Sequence, residues 1–441
     1  MSASPALGLV TAGIALLLVA AFVTAGRLIR PATRRTDLGL WHPAVIWLAL
    51  EAIFFGFGSA ILAINGRIGP ALYVAGAVLA FSAAVAVSDA IAWRRTKGDE
   101  AEPRLAKPGT ADAATEPEDG APLRPLVVAV LAAVGVALLA PTLIRVGLPF
   151  LAEDITGARS EVAGLSVQVM RVTVPALALA MILAPRGTAE MPGATRQRLG
   201  WVVLGILVAL DVVLASRYLV AELLAVALVG IGLAGWRLKT RRLAAIALIA
   251  VVAFGGIGIL RAYDQAAGRE LAFAFERTVN RIVLIQPRTL EALQSAIPAE
   301  QPYFGGLTWF RRLGPVVGRT DIPNLGYWIY ARLFPGQDPP GYAAPGLIGE
   351  AWANFGPAGL ALFAFLGLIA DRLGDFLSRR RRATGDLIAG ALLVVFLART
   401  HALGLNGLAV LVALVIAWRV LAADGLAGAW AALRETLAWR V

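Results

Sequence analysis

ALGLVTAGIALLLVAAFVTAG, residues 6–26, decides the fold class. The run carries no charge over a length that crosses a hydrocarbon core of about 30 Å as a helix rising about 1.5 Å per residue. No basic residue precedes it, and Arg27, Arg30, Arg34 and Arg35 follow it. A secretory signal peptide carries its charge first. The run is therefore expected to remain as a membrane helix, with its N-terminus outside and its basic flank inside.

The same pattern recurs along the chain. Eleven spans are expected, near 5–26, 43–64, 71–93, 126–146, 165–184, 200–215, 218–236, 243–260, 346–370, 387–398 and 403–420. The tenth is short and the sixth marginal, so either can be tilted, re-entrant or buried in protein. Composition agrees. Of 441 residues, 59% are hydrophobic and 16% charged, with a mean hydropathy of +0.74. A soluble domain is nearer to half apolar and about a quarter charged. The expected fold is all-α and polytopic, with a core of helix on helix and helix on lipid.

The net charge of +11 comes from 40 Lys and Arg against 29 Asp and Glu. On a soluble protein it would suggest nucleic acid. Here topology explains most of it, because 25 of the 40 basic residues fall in expected inner segments. Most of the rest lie in one long outer loop, where the positive-inside rule has little force. There is no cysteine, and the only histidines are His42 and His401. Disulfides, thiol chemistry and a His-built metal site are not expected.

Six regions follow. Residues 1–93 hold three N-terminal spans. RRTKGDEAEPRLAKPGTADAATEPEDGAPLRP (94–125) has almost no large apolar residue and reads as a disordered cytoplasmic linker. Residues 126–260 hold spans four to eight. Residues 261–345 form an extracytoplasmic loop with helical spacing over 270–286 and 288–297, then a Pro/Gly-rich stretch with six Tyr and Trp residues. Residues 346–420 hold the last spans, and 421–441 read as an amphipathic cytoplasmic tail.

Three features can carry chemistry. First, Arg277, Arg281, Arg288, Arg311, Arg312, Arg319 and Arg332 crowd the outer loop, while Arg145, Arg159, Arg217 and Arg399 sit at outer helix ends. Arginine grips phosphate bidentately and stays charged near a membrane, so the set suits a lipid diphosphate. Pairing with headgroups or loop acids is the ordinary alternative. Second, PGLIGEAWANFGPAGLALFAFLGLIAD (345–371) places Glu350 at the outer start of an apolar run, with Asn354 at i+4. An ionisable group at that depth needs a partner or a job. A partly desolvated Glu can act as a general base on a sugar hydroxyl, or can cap the helix or pair with an arginine. Gly346, Gly349, Gly356 and Gly359 allow close helix approach. Third, GLPFLAEDITGARSEV (147–162) offers Glu153 and Asp154, a weak oxygen-ligand pair for a divalent cation. Glu51, Asp211 and Glu222 lie inside apolar runs, where they can mark a proton or substrate path or pair with a neighbouring helix. His401, beside Arg399 at an outer hairpin, is a candidate base or phosphate contact.

No Walker, zinc-hydrolase or Gly-x-Ser-x-Gly motif is present, and soluble nucleotide chemistry is not indicated. An ion-coupled transporter has little direct support, since charges inside the spans are few and no repeat is discernible.

GLIGEAWANFGPAGL resembles the G-E-x-Y-x-N-F-G-x-x-G segment of bacterial oligosaccharide repeat-unit polymerases, the O-antigen polymerase-like membrane glycosyltransferases. Trp352 stands where Tyr is expected. GLPFLAEDITGAR resembles that family's G-I-P-hydrophobic turn with an arginine some residues later, and ASRYLVAELLAVAL (215–228) its S-R-x-hydrophobic helix start. The three segments are short and spread over roughly 145 to 370.

The resemblance implies a GT-C-like fold in the bacterial cytoplasmic membrane, with an extracytoplasmic active site and the C-terminus inside. It implies transfer of a growing glycan from its polyprenyl diphosphate to a new lipid-linked repeat unit. The matched residues are Arg159, Arg217, Glu350 and Asn354: Glu350 as base, the others on substrate. Arg277, Arg281, Arg311, Arg312, Arg399 and His401 complete the expected substrate set. No cofactor and no metal are expected, because a diphosphate is already a good leaving group that arginines can stabilise. Expected partners are polyprenyl-diphosphate-linked oligosaccharides and the bilayer, with a flippase or chain-length regulator as a candidate and no nucleic acid. The alternatives are an O-antigen-ligase-like or other GT-C transferase, and a lipid-linked-glycan flippase.

Overall fold

The computed structural model describes residues 5–100, 125–149, 165–183, 193–214, 217–235, 283–309, 322–336, 342–379, 384–399 and 404–422, with isolated positions between 256 and 280. Among the described residues there are helices and no strands. Six helices are long and apolar enough to cross a membrane: Val10–Arg35, Pro43–Ile64, Gly69–Arg94, Val127–Val146, Ser166–Leu183 and Gly346–Ser378. Leu219–Leu233, Thr384–Ala398 and Gly407–Ala422 are shorter apolar helices. The expected sixth span lies in helix Gly193–Val213, which carries Arg196, Arg198 and Asp211. The expected eighth span, 243–260, and the tail, 421–441, lie almost wholly outside the described residues.

The chain divides into two compact units: 1–118, 279–379 and 397–408 form the first, and 119–278, 380–396 and 409–441 the second. In the first, α1 (Pro5–Arg35) sets Leu18, Ala21, Ala25, Ile29 and Ala32 on one buried stripe. The three- and four-residue steps keep one helix face inward, and the alanines let backbones approach closely. Leu16, Leu17, Val19 and Val23 point the other way and are more than half or about half exposed, a lipid-facing surface. The next helix is interrupted: α2 (Pro43–Glu51) passes through one π turn, Ala52–Gly56, into α3 (Phe57–Ile64). Trp47 of α2 stacks on Phe81 of α4 (Gly69–Glu100), ring centroids 3.9 Å apart. Helix α4 continues through 94–100, which the composition had assigned to the linker; residues 101–124 of that linker are not described.

Four side chains lock the ends of three helices. Arg35 of α1 donates to Asp89 of α4 and to Asp375, and at 3.2 Å to Asp371, both on the helix Leu360–Arg379. Asp371 is fully buried. Beside them His42, also fully buried, accepts a hydrogen bond on Nδ1 from the Ala44 N–H at 3.2 Å. Its Nε2 has no partner and abuts Gly374. Burial, reinforced by the charge of Arg35, pushes His42 down to about 4 from its ordinary 6.5. Below 6.5 the unfolded chain binds the proton before the folded one does. Stability is therefore full above 6.5 and is lost as pH falls toward 4, by on the order of 3 kcal/mol at the low end. Unfolding measured in detergent from pH 7 to pH 4 should show this slope. His42→Gln should flatten it, and an unchanged slope in that variant would assign it to other groups.

In the second unit, α5 (Pro125–Val146), α6 (Leu165–Leu183), α7 (Gly193–Val213) and α8 (Arg217–Leu233) follow one another. Arg171 of α6 grips Glu222 of α8 through Nε at 2.8 Å and Nη2 at 2.5 Å. Its Nη1 donates to Gln168, and Phe396 lies under its charge at 5.7 Å. Of the two readings open to Glu222, pairing with a neighbouring helix is the one observed.

The expected single helix over 346–370 is broken. Helix α11 (Gly346–Phe355) ends at Gly356, whose φ is +57°, and a 3-10 turn, Gly356–Gly359, leads into α12 (Leu360–Arg379). Pro357 supplies no N–H to continue the ladder. A Cβ at 356 would overlap the Tyr303 ring at 2.5 Å. The break needs glycine for its backbone and for its space. Helices α9 (Ile285–Ala296) and α10 (Leu325–Leu333) pack beside it. The spacing over 288–297 places α9 correctly; α10 was not legible in the Pro/Gly-rich stretch.

Candidate functional site

The broken helix defines the site. The last turn of a helix leaves its carbonyls unmet, and here the segment 304–309 supplies donors. Phe304 N–H donates to the Ala353 carbonyl at 3.1 Å and Gly305 N–H to the Asn354 carbonyl at 2.9 Å. The Asn354 side chain completes the clamp. Its Oδ1 accepts from Gly306 N–H at 2.9 Å and Thr308 N–H at 3.4 Å, and its Nδ2 donates to Thr308 Oγ1 at 2.6 Å and to the Glu350 carbonyl at 2.8 Å. Asn354 is 1% exposed. The resemblance implies a substrate contact for it; in this structure both ends of its amide hold the loop.

Glu350 sits one turn earlier and is half-buried. Its Oε2 accepts the Leu405 N–H at 3.0 Å, the first residue of α14 (Leu405–Ala422). A carboxylate at a helix N-terminus is favoured by the unpaired amides and the helix dipole. The helix capped is thus not the one that carries Glu350. The other oxygen, Oε1, faces Gly404, and a Cβ there would overlap the carboxylate. The indole N–H of Trp309 lies beside the same carboxylate without a hydrogen bond of good geometry. Around them Tyr73 donates to the Gly356 carbonyl at 3.2 Å and stands edge-on to Trp352, 5.1 Å away. Trp352 donates to the Ile297 carbonyl at 3.2 Å.

This arrangement offers one carboxylate held by a backbone amide, with the Trp309 indole beside it. Gly404, Leu405 and Trp309 were not singled out from the sequence. The signal for the first two was a glycine directly before an apolar helix, where the backbone comes close to a partner. Gly404→Ala is expected to push the Glu350 carboxylate off the Leu405 amide and, with the start of α14 uncapped, to lower stability by about 1 kcal/mol. Thermal unfolding in detergent checks this, and a wild-type midpoint in that variant would show that the contact adds nothing.

The arginines divide. Arg332 pairs with Glu300 and lies 3.7 Å from the Trp328 ring, and Arg67 pairs with Glu291 at 3.2 Å. Arg145 and Arg288 are exposed, and Arg399 is half-buried at the end of helix α13 (Thr384–Ala398). Arg217 is the first residue of α8. Arg159, Arg277, Arg281, Arg311, Arg312, Arg319 and His401 lie outside the described residues, as do Glu153 and Asp154. Among the described residues no group of three or more His, Asp or Glu side chains is placed to hold a metal ion.

Fold and site together define a polytopic membrane protein, helical among the described residues, with a half-buried carboxylate beside a helix break. Compared with protein-family models, characterised proteins and solved structures, the chain matches none.

Proposed function

We propose that this protein is a membrane glycosyltransferase of the GT-C type that joins polyprenyl-diphosphate-linked oligosaccharide repeat units at the outer face of a bacterial cytoplasmic membrane, with Glu350 as its general base. The observation that carries the reading is the Glu350 carboxylate. Its Oε2 is fixed by the Leu405 amide at 3.0 Å and its Oε1 faces Gly404, within a segment that resembles the polymerases' Glu/Asn/Phe/Gly motif. The bond between the anomeric carbon and the diphosphate oxygen breaks, and the electron pair leaves with the diphosphate. The acceptor hydroxyl oxygen bonds to that carbon and its proton passes to Glu350. Arginines of the outer segments, Arg159, Arg217, Arg277, Arg281, Arg311, Arg312 and Arg399, are assigned to the diphosphate, with His401 beside them. Asn354 is assigned to holding the loop over Glu350.

A ligase-like transferase would use the same carboxylate and donor and differ in acceptor. A flippase would need uncommitted charges within the spans, and Glu222 is engaged by Arg171. The test supplies purified protein in detergent with lipid-diphosphate-linked repeat units and no other enzyme, with and without EDTA. The expected result is a ladder of longer glycans insensitive to EDTA. Loss of the ladder with EDTA would redirect the chemistry to Glu153 and Asp154, and binding without a ladder would favour the ligase or the flippase.

A further inference from the structure

We propose that Asp211 is a proton-binding carboxyl, the third member of a buried site with Arg171 and Glu222 that acts as a switch between two helices of the second unit. The inference stands apart from the transferase reading. Helix register brings the three side chains together. Gly200 of α7 packs so closely on α6 that a Cβ there would stand 2.9 Å from the Ile182 backbone nitrogen. Further along α7, Val208 and Val212 pack on Val220 and Leu224 of α8. Those two residues flank Glu222, which Arg171 of α6 holds. The two contacts run α7 antiparallel to α6. Asp211 follows Gly200 by eleven residues and Arg171 precedes Ile182 by eleven. Eleven residues are about three full turns, so the two side chains reach one level on facing sides. The Arg171 charge acts on Asp211 there.

The charge count calls for a proton. Arg171, Glu222 and Asp211 are each at most 7% exposed. Arg171 donates Nε and Nη2 to the two oxygens of Glu222 and Nη1 to Gln168. That ion pair is closed, one cation on one anion, without Asp211. A second ionised carboxylate beside it would leave a net negative charge in apolar surroundings, where a carboxyl sheds its charge by taking a proton. The other charged or titratable side chains on α6 and α8, which pack against α7, are Arg217 and Tyr218 at the start of α8. Phe396 of α13 lies under the guanidinium. When the proton leaves to water, Asp211 becomes a second anion for one guanidinium. Proton exchange therefore sets whether Arg171 holds α8 alone or α7 and α8 together.

Infrared spectra of the purified protein in detergent at neutral pH test this. Wild-type protein is expected to show a carboxylic-acid C=O band that Asp211→Asn removes. The melting temperature of that variant should match wild type, because the amide keeps the shape and neutrality of the acid. Glu222→Gln strips the guanidinium of its anion. Asp211 is expected to ionise in its place, so the band is lost there too. The double variant leaves Arg171 with neither carboxylate and should melt well below either single variant. A spectrum that Asp211→Asn leaves unchanged overturns the inference. So does an Asp211→Asn protein that melts far below wild type or fails to fold, since the fold would then need the ionised carboxylate. A band that persists in Glu222→Gln would put the proton beyond the influence of Arg171 and overturn the switch.

Discussion

Glu350→Gln is expected to abolish glycan elongation, lowering the rate by roughly 10²- to 10⁴-fold, the contribution of a positioned general base. The substitution is chosen because glutamine keeps an oxygen to accept the Leu405 N–H that Glu350 accepts at 3.0 Å. The start of α14 therefore stays capped, and membrane insertion and thermal stability should match the wild type. What the amide cannot do is hold a proton taken from a hydroxyl. Glu350→Ala should lose activity and stability together, since the capping oxygen goes too. Normal glycan from a folded Glu350→Gln protein would remove Glu350 as the base and leave it as a cap alone.

The second large effect is on the fold. Arg35→Gln is expected to destabilise the first unit by about 3–5 kcal/mol, the cost of breaking a buried ion pair and leaving its partner charged. Arg35 is 17% exposed in its side chain and serves three carboxylates, of which Asp371 is fully buried. The pair's net worth against an apolar replacement is small; the loss comes from stranding Asp371. Arg35→Lys should recover only part of it, because an ammonium lacks the fork that reaches acids on two helices. Denaturant or thermal unfolding of purified protein in detergent measures this. A wild-type midpoint for Arg35→Gln would mean that the cluster adds nothing to the fold.

The spans were legible because the bilayer allows one reading of a long apolar run with at most a single charge in it. Residues 6–26, 43–64, 71–93, 126–146 and 165–184 all fall on long apolar helices. The break at Gly356 was not legible. Hydropathy runs unbroken from Gly346 to Ser378, and only the joint demand of Gly356 for positive φ and for space beside Tyr303 interrupts the helix. Glu350 stood out because a charge in an apolar run is costly. Its partner did not, since a backbone amide 55 residues away leaves no mark in composition. Asn354 was singled out for its position and turned out to face inward. Glu222 and Arg171 lie 51 residues apart on different helices, so their pairing is a product of packing. Arg35 was read as a topology signal alone, and its three carboxylates could be identified only from the fold.

Counting leaving groups tests the central claim most directly. Each joined repeat unit should release one polyprenyl diphosphate. Wild-type protein in detergent, given lipid-linked repeat units alone, is predicted to release it in step with glycan growth, while Glu350→Gln at equal fold and concentration releases none. Release that continues unchanged in Glu350→Gln, or glycan-bound protein from which no polyprenyl diphosphate ever leaves, would contradict the account.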